Sequence, residues 1–137
     1  MARSVEIGGG SAAPRFELRD YVHRGRHTLV LSGELDIEYA AELEATITRV
    51  CVGGMPALVI DLSRLTFMDS TGVRAVAAAH RRCQQQGCEF LIVPGSDAVQ
   101  RVFEISGLLD VLPFKPIPGE ESRPRPRLSR RATRSAP

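Results

Sequence analysis

With 137 residues, 43% of them hydrophobic and 25% charged, the chain has the composition of a globular protein and the length for one domain with a remainder. No apolar run approaches the ~20 residues that a bilayer span needs, and Met1-Ala2-Arg3-Ser4-Val5-Glu6 lacks the apolar stretch of a signal peptide, so the expected compartment is the cytoplasm. The formal net charge of +2 conceals a division: residues 15–114 carry 10 basic and 13 acidic side chains, whereas Lys115 onward has 7 basic and 2 acidic.

Residues 1–14 hold Gly8-Gly9-Gly10-Ser11 ahead of Pro14, a composition that cannot bury itself, and read as a flexible leader. Phe16-Glu17-Leu18-Arg19-Asp20-Tyr21-Val22 alternates as a half-buried strand does. His23-Arg24-Gly25-Arg26 supplies a turn with a glycine for positive φ, and His27 to Leu35 follows as a second strand, which predicts an antiparallel hairpin. From Ile37 to Cys51 the apolar positions 37, 40, 43, 47 and 50 have helical spacing, and Gly53-Gly54 with Pro56 ends that helix.

Ala57-Leu58-Val59-Ile60-Asp61-Leu62 is a nearly unbroken apolar run, the signature of a strand buried on both faces. An Ala-rich helix is predicted from Ser70 to Gln86, closed by Gly87, then a buried strand at Phe90-Leu91-Ile92-Val93. Ser96 or Asp97 caps a third helix running through Val99, Val102 and Phe103 to Ser106, and Val111 begins a short final strand. Residues 116–137 mix Pro with Arg and read as a disordered tail, because that alternation denies hydrogen bonds to helix and sheet alike. The domain proper is 15–115. Its strands alternate with helices after an opening hairpin, which predicts one α/β domain with a mixed, mostly parallel sheet of four to five strands.

Asp69, Ser70 and Thr71 fall where the Ala-rich helix begins. The first amides of a helix have no internal partner and the macrodipole is positive there, so by position these residues read first as helix caps, and a phosphate can use the same free amides. Asp36 stands at the start of the preceding helix with the same two readings, a cap and a site-lining carboxylate. Gly72 suits either close packing of the first turn or a place in a binding surface.

Phe67-Met68-Asp69-Ser70-Thr71-Gly72-Val73 resembles the phosphorylation motif of the anti-sigma factor antagonists, the STAS-domain family, in which the Ser after Asp is the phosphoacceptor. Leu31-Ser32-Gly33-Glu34-Leu35-Asp36, Val59-Ile60-Asp61-Leu62 and Arg101-Val102-Phe103-Glu104-Ile105-Ser106-Gly107-Leu108 resemble further family segments, in order, between Phe16 and Phe114. The resemblance implies a STAS-like fold and a switch. The unphosphorylated protein binds an anti-sigma factor, a serine kinase of histidine-kinase-like fold, and a sigma factor is released; the kinase phosphorylates Ser70 and a serine phosphatase reverses it. It implies Asp36, Asp69, Thr71 and Gly72 as partner-binding residues, with Thr71 a second hydroxyl, and a protein that is monomeric when free. The nearest alternative is a STAS module that serves as a scaffold or a transport-associated binding module without switching.

Other chemistries fit poorly. A phosphoacceptor-aspartate receiver needs an acidic pair after its first strand, an Asp after its third and a late lysine, and Lys115, the sole lysine, lies beyond the last core element. Asp69 adjoins Ser70 and cannot complete a nucleophilic relay, and none of His23, His27 and His80 is placed to serve, so no catalytic residue and no enzyme is expected. His80 falls on the apolar stripe of its helix with Val73, Val76 and Cys83. Cys51, Cys83 and Cys88 lack metal-ligand spacing and read as reduced, mostly buried thiols, and no glycine-rich phosphate loop occurs, so neither metal nor cofactor is expected. The arginines of the tail suit a solvated charged end better than a nucleic-acid site.

Overall fold

A computed structural model describes residues 2–7 and 15–115 of the chain. Two long strands, β2 (Phe16–His23) and β3 (Arg26–Leu35), pair antiparallel through the predicted turn, where Arg24 at φ 53° and Gly25 at φ 78° take the left-handed geometry of a two-residue hairpin. After β3 the chain alternates: α1 (Ile37–Val52), β4 (Ala57–Met68), α2 (Ser70–Gln86), β5 (Glu89–Val93), α3 (Asp97–Ile105). β3, β4 and β5 are parallel neighbours, so the sheet is mixed as expected.

Three elements depart from the sequence reading. Residues 2–7, expected within a flexible leader, form β1 (Ala2–Ile7), antiparallel to β2 and completing a five-stranded sheet in the order β1-β2-β3-β4-β5. A strand added through backbone hydrogen bonds to an open edge leaves little hydrophobic signature to read. Residues 8–14 and the tail 116–137 lie outside the described residues. β4 runs six residues past Leu62, to Met68. Polar Ser63, Arg64 and Thr66 break the apolar run, but Leu65 and Met68 remain buried and the backbone stays paired to β3 through two register shifts. Finally, the strand expected from Val111 is replaced by a turn, with one parallel bridge from Phe114 to Ile92.

The helices cover one face of the sheet. Consecutive parallel neighbours joined by crossovers of the usual right hand return over the same side, and α1 and α2 lie against each other there with α3 beside β4. Leu29, Leu31 and Leu35 of β3, Leu58, Ile60 and Leu62 of β4 and Ile92 of β5 meet Tyr39, Leu43 and Ile47 of α1, Val73, Val76 and Cys83 of α2, and Phe103 of α3. The run in β4 is therefore not buried on both faces as its composition suggested: Val59 and Asp61 point to the uncovered side and are half-buried. His80 lies at the core edge, stacked 5.4 Å from the Phe90 ring. No helix among the described residues is long and apolar enough to cross a membrane.

Candidate functional site

Two helix starts stand side by side at the carboxyl end of β3 and β4. Leu35 and Met68 end the paired strands opposite each other, and the Asp69 amide donates to the Leu35 carbonyl at 3.2 Å. The residues that follow, Asp36 and Asp69, cap α1 and α2. Each is in extended conformation, φ −122° and −107°, with its carboxylate accepting from the amide two residues on, Glu38 at 2.9 Å and Thr71 at 3.0 Å. The capping reading of both aspartates thus has its geometry. Both carboxylates also remain half-exposed in one corner of the molecule.

Ser70 is the first residue of α2 and is exposed, whereas the half-buried Thr71 donates its hydroxyl to the Asp69 carboxylate. The two neighbouring hydroxyls are therefore unequal: one faces solvent, the other is engaged by the cap. Gly72 is buried beneath them. A Cβ there would lie 2.5 Å from Met68 Cγ and 3.1 Å from Leu35 Cδ2, so the missing side chain lets the first turn of α2 rest on the ends of β3 and β4. Any contact Gly72 makes with a partner runs through its backbone.

Arg15 is a part of the site that sequence reasoning missed. Its guanidinium donates to Asp36 Oδ2 at 3.1 Å, approaches Glu38 at 3.4 Å and Glu34 at 3.6 Å, and lies 5.3 Å over the Tyr39 ring. Tyr39 first, then Glu38, Asp36 and Glu34, raise its pKa above the ordinary arginine value. Nothing local in the sequence links residue 15 to residue 36; the link comes from the backbone, where Glu34 N–H donates to the Arg15 carbonyl at 2.7 Å. Two apolar side chains also frame the corner in the open, Ile37 at 74% exposure and Phe67 at 48%. An amphipathic reading assigns Ile37 to the core, but as the first residue of α1 it projects off the end of the sheet. From Ile37 and Thr71 a shallow groove of about 500 Å³ runs between α1 and α2, lined with Ala40, Ala41, Arg74 and Arg81.

The acidic pair, one exposed hydroxyl at a helix start and a partly apolar rim make a surface fit for contact and for modification. No group of three or more His, Cys, Asp or Glu among the described residues is arranged to hold a metal ion.

Comparison with known proteins agrees on the kind of molecule. The description "STAS domain" matches residues 19–120. The anti-sigma-B factor antagonist of Listeria monocytogenes is 32% identical over 92 residues, 67% of this chain and 81% of its own length. An anti-sigma factor antagonist from Mycobacterium paratuberculosis superposes with a TM-score of 0.68 at 31% identity, over 74% of this chain and 86% of its own. The unphosphorylated form of the anti-sigma factor antagonist SpoIIAA gives 0.64 at 28% identity, over 77% and 90%. The Bacillus protein SpoIIAA has also been solved in a phosphorylated form, which gives 0.60.

Proposed function

This chain belongs to the STAS-domain family of anti-sigma factor antagonists, and from that membership we propose that it is a partner switch controlled at Ser70. Unphosphorylated, it binds an anti-sigma factor of the histidine-kinase-like serine kinase type and a sigma factor goes free. Phosphorylation of Ser70 by that kinase ends the binding, and a serine phosphatase restores it. The chain acts as a regulatory binding protein rather than an enzyme, as a monomer when free, in the cytoplasm where sigma factors work.

The observation that carries this reading is the exposure of Ser70 at the first position of α2, beside the capping Asp69, with Asp36 at the start of the adjoining helix. An exposed hydroxyl can enter a kinase site, and the helix-start amides favour the phosphate that results. Thr71, whose hydroxyl is held on Asp69, is the poorer acceptor. A phosphoseryl group adds about −1.5 to −2 charges at pH 7. In this corner that charge joins two carboxylates, and a partner fitted to a neutral hydroxyl meets repulsion and desolvation with no change of fold. Ile37 and Phe67 supply apolar area for the unphosphorylated complex, with Asp36, Asp69, Thr71 and the Gly72 backbone around it.

The test is direct. Incubation with a histidine-kinase-like anti-sigma factor and ATP should add one phosphate by intact mass, and Ser70→Ala should abolish it. Calorimetric titration with the same partner should show wild-type affinity for Ser70→Ala and weakened binding for Ser70→Asp, tenfold for each ~1.4 kcal/mol of repulsion. Equal affinity for all three proteins, or stoichiometric phosphate on Ser70→Ala, would defeat the proposal.

A further inference from the structure

Far from Ser70, at the other end of α2, the three cysteines of the chain come together. Cys83 is fully buried on the last turns of α2, Cys88 is half-buried just beyond it, and Cys51 near the end of α1 lies beside Cys83. The thiols of Cys83 and Cys88 are in contact, Sγ to Sγ 3.0 Å. This closeness follows from the way the helix ends. Gly87, at φ 75°, closes α2 with its amide donating to the Cys83 carbonyl, and the Cys88 amide donates to the same carbonyl at 3.0 Å. Such a helix end brings the residue after the glycine onto the residue five positions earlier, a place ordinarily filled by two apolar side chains. The shared carbonyl also keeps the two Cα atoms within about 7 Å, the span a disulfide needs.

We propose that Cys83 and Cys88 form a reversible modification site, closing to an intramolecular disulfide when the protein meets hydrogen peroxide. The two thiols have separate roles. Cys88 reaches solvent; its thiol gives up its proton and the thiolate attacks the peroxide, so that the O–O bond breaks, one hydroxyl stays on sulfur as sulfenic acid and the other leaves as hydroxide, which takes up the released proton and becomes water. Cys83 then attacks the Cys88 sulfur, the S–O bond breaks, the S–S bond forms and a second water leaves carrying the Cys83 proton. Two thiols are oxidised by two electrons and one peroxide is reduced to two waters. Cys83 is shielded from peroxide, and burial together with the Cys88 contact holds its pKa above that of an ordinary thiol. It is thus a partner for a sulfur already in place and not a first target. An added dithiol restores the pair by exchange. The bridge ties the end of α2 to the residue that leads into β5, one residue before Glu89.

The experiment uses the full chain. It is treated with hydrogen peroxide, quenched, denatured and alkylated with iodoacetamide, and its peptides are mapped by mass. Alkylatable thiols should fall from three to one, the remaining one being Cys51, with a peptide linked through Cys83 and Cys88 that dithiothreitol releases. Cys88→Ser should keep its other two thiols alkylatable under the same treatment, and Cys51→Ser should still form the link. Mapping of the wild-type protein decides the matter even where a variant folds poorly. A Cys51–Cys83 link, a Cys88 sulfinic acid beside an alkylatable Cys83, or three intact thiols under conditions that oxidise free cysteine would each overturn the proposal.

Discussion

Replacing Asp69 by alanine separates the two roles that meet at the start of α2. The carboxylate accepts the Thr71 amide at 3.0 Å and the Thr71 hydroxyl as well. Loss of an N-cap costs about 0.5–2 kcal/mol, and leaving a half-buried hydroxyl without its acceptor adds about 1 kcal/mol. A total near ~2 kcal/mol is a sizeable part of the roughly 5–15 kcal/mol that holds such a domain together. For a folded unit of this size each kcal/mol moves the thermal midpoint by about 4–8 °C. Asp69→Ala should therefore melt on the order of 8–16 °C lower. Asp69→Asn keeps a capping oxygen and removes only the charge, and should stay near wild type, since Asn caps about as well as Asp. Thermal melting followed by circular dichroism measures both midpoints, and urea unfolding with an unchanged slope gives the free-energy difference. An Asp69→Ala midpoint equal to wild type would show that the carboxylate does not hold this helix start, and would remove the physical basis for treating Ser70 as a fixed, outward-facing residue. The Asn variant then measures the contribution of the charge to partner binding at nearly constant stability.

Gly72→Ala should destabilise by about 1–3 kcal/mol, because the new methyl meets buried Met68 and Leu35 and overpacking outweighs the gain in helix propensity; urea unfolding reads this, and a stabilised variant would refute the packing assignment. Gly33→Ala should be worse, at about 3 kcal/mol or more, since at φ 89° its Cβ would fall 2.1 Å from the Arg15 carbonyl oxygen; little soluble protein is expected, and a wild-type melting curve would contradict this close backbone approach. Stability should decline above about pH 8.5, where thiols of the unfolded chain ionise while burial keeps Cys83 and Cys51 protonated in the native state. Their raised native pKa values give a stabilisation that is complete below the unfolded pKa and shrinks as pH rises, by up to about 1.4 kcal/mol per pH unit for each thiol; urea unfolding from pH 8 to 10 should show it, with a shallower decline in Cys83→Ala. Removal of residues 116–137 should leave the melting midpoint nearly unchanged, because the described core is complete by Leu112.

The elements legible in the amino-acid order are those that local physics specifies. The turn at Arg24-Gly25, the glycine that ends α2 and the aspartates that begin α1 and α2 each announce themselves through a backbone conformation or a cap that few residues satisfy. The apolar spacing of α1 and α2 likewise follows from the need to bury one face, and the apolar runs mark β4 and β5 as strands. Local physics marks Asp69, Ser70 and Thr71 only as a helix start; Ser70 is singled out among them by the resemblance of residues 67–73 to a family motif.

What the order of residues did not disclose depends on distant backbone. β1 is held by ladder bonds to β2 and the far half of β4 by pairing to β3, and a backbone bond carries no side-chain signature. Whether the apolar run of β4 is covered on one side or two was decided by strand order, which brings both crossovers over the same face. Arg15 meets Asp36 because the residue before β2 lies against the end of β3, where its carbonyl accepts the Glu34 amide, and Ile37 projects outward because α1 begins beyond the carboxyl end of β3. The Cys83–Cys88 contact lies between these cases. Gly87 marks the helix end, but only the folded turn brings the two sulfurs to 3.0 Å, and only the packing of α1 against α2 brings Cys51 beside them. Periodicity and capping act over a few residues and are written in the sequence; adjacency across the sheet is a property of the whole chain and appears only once it has folded.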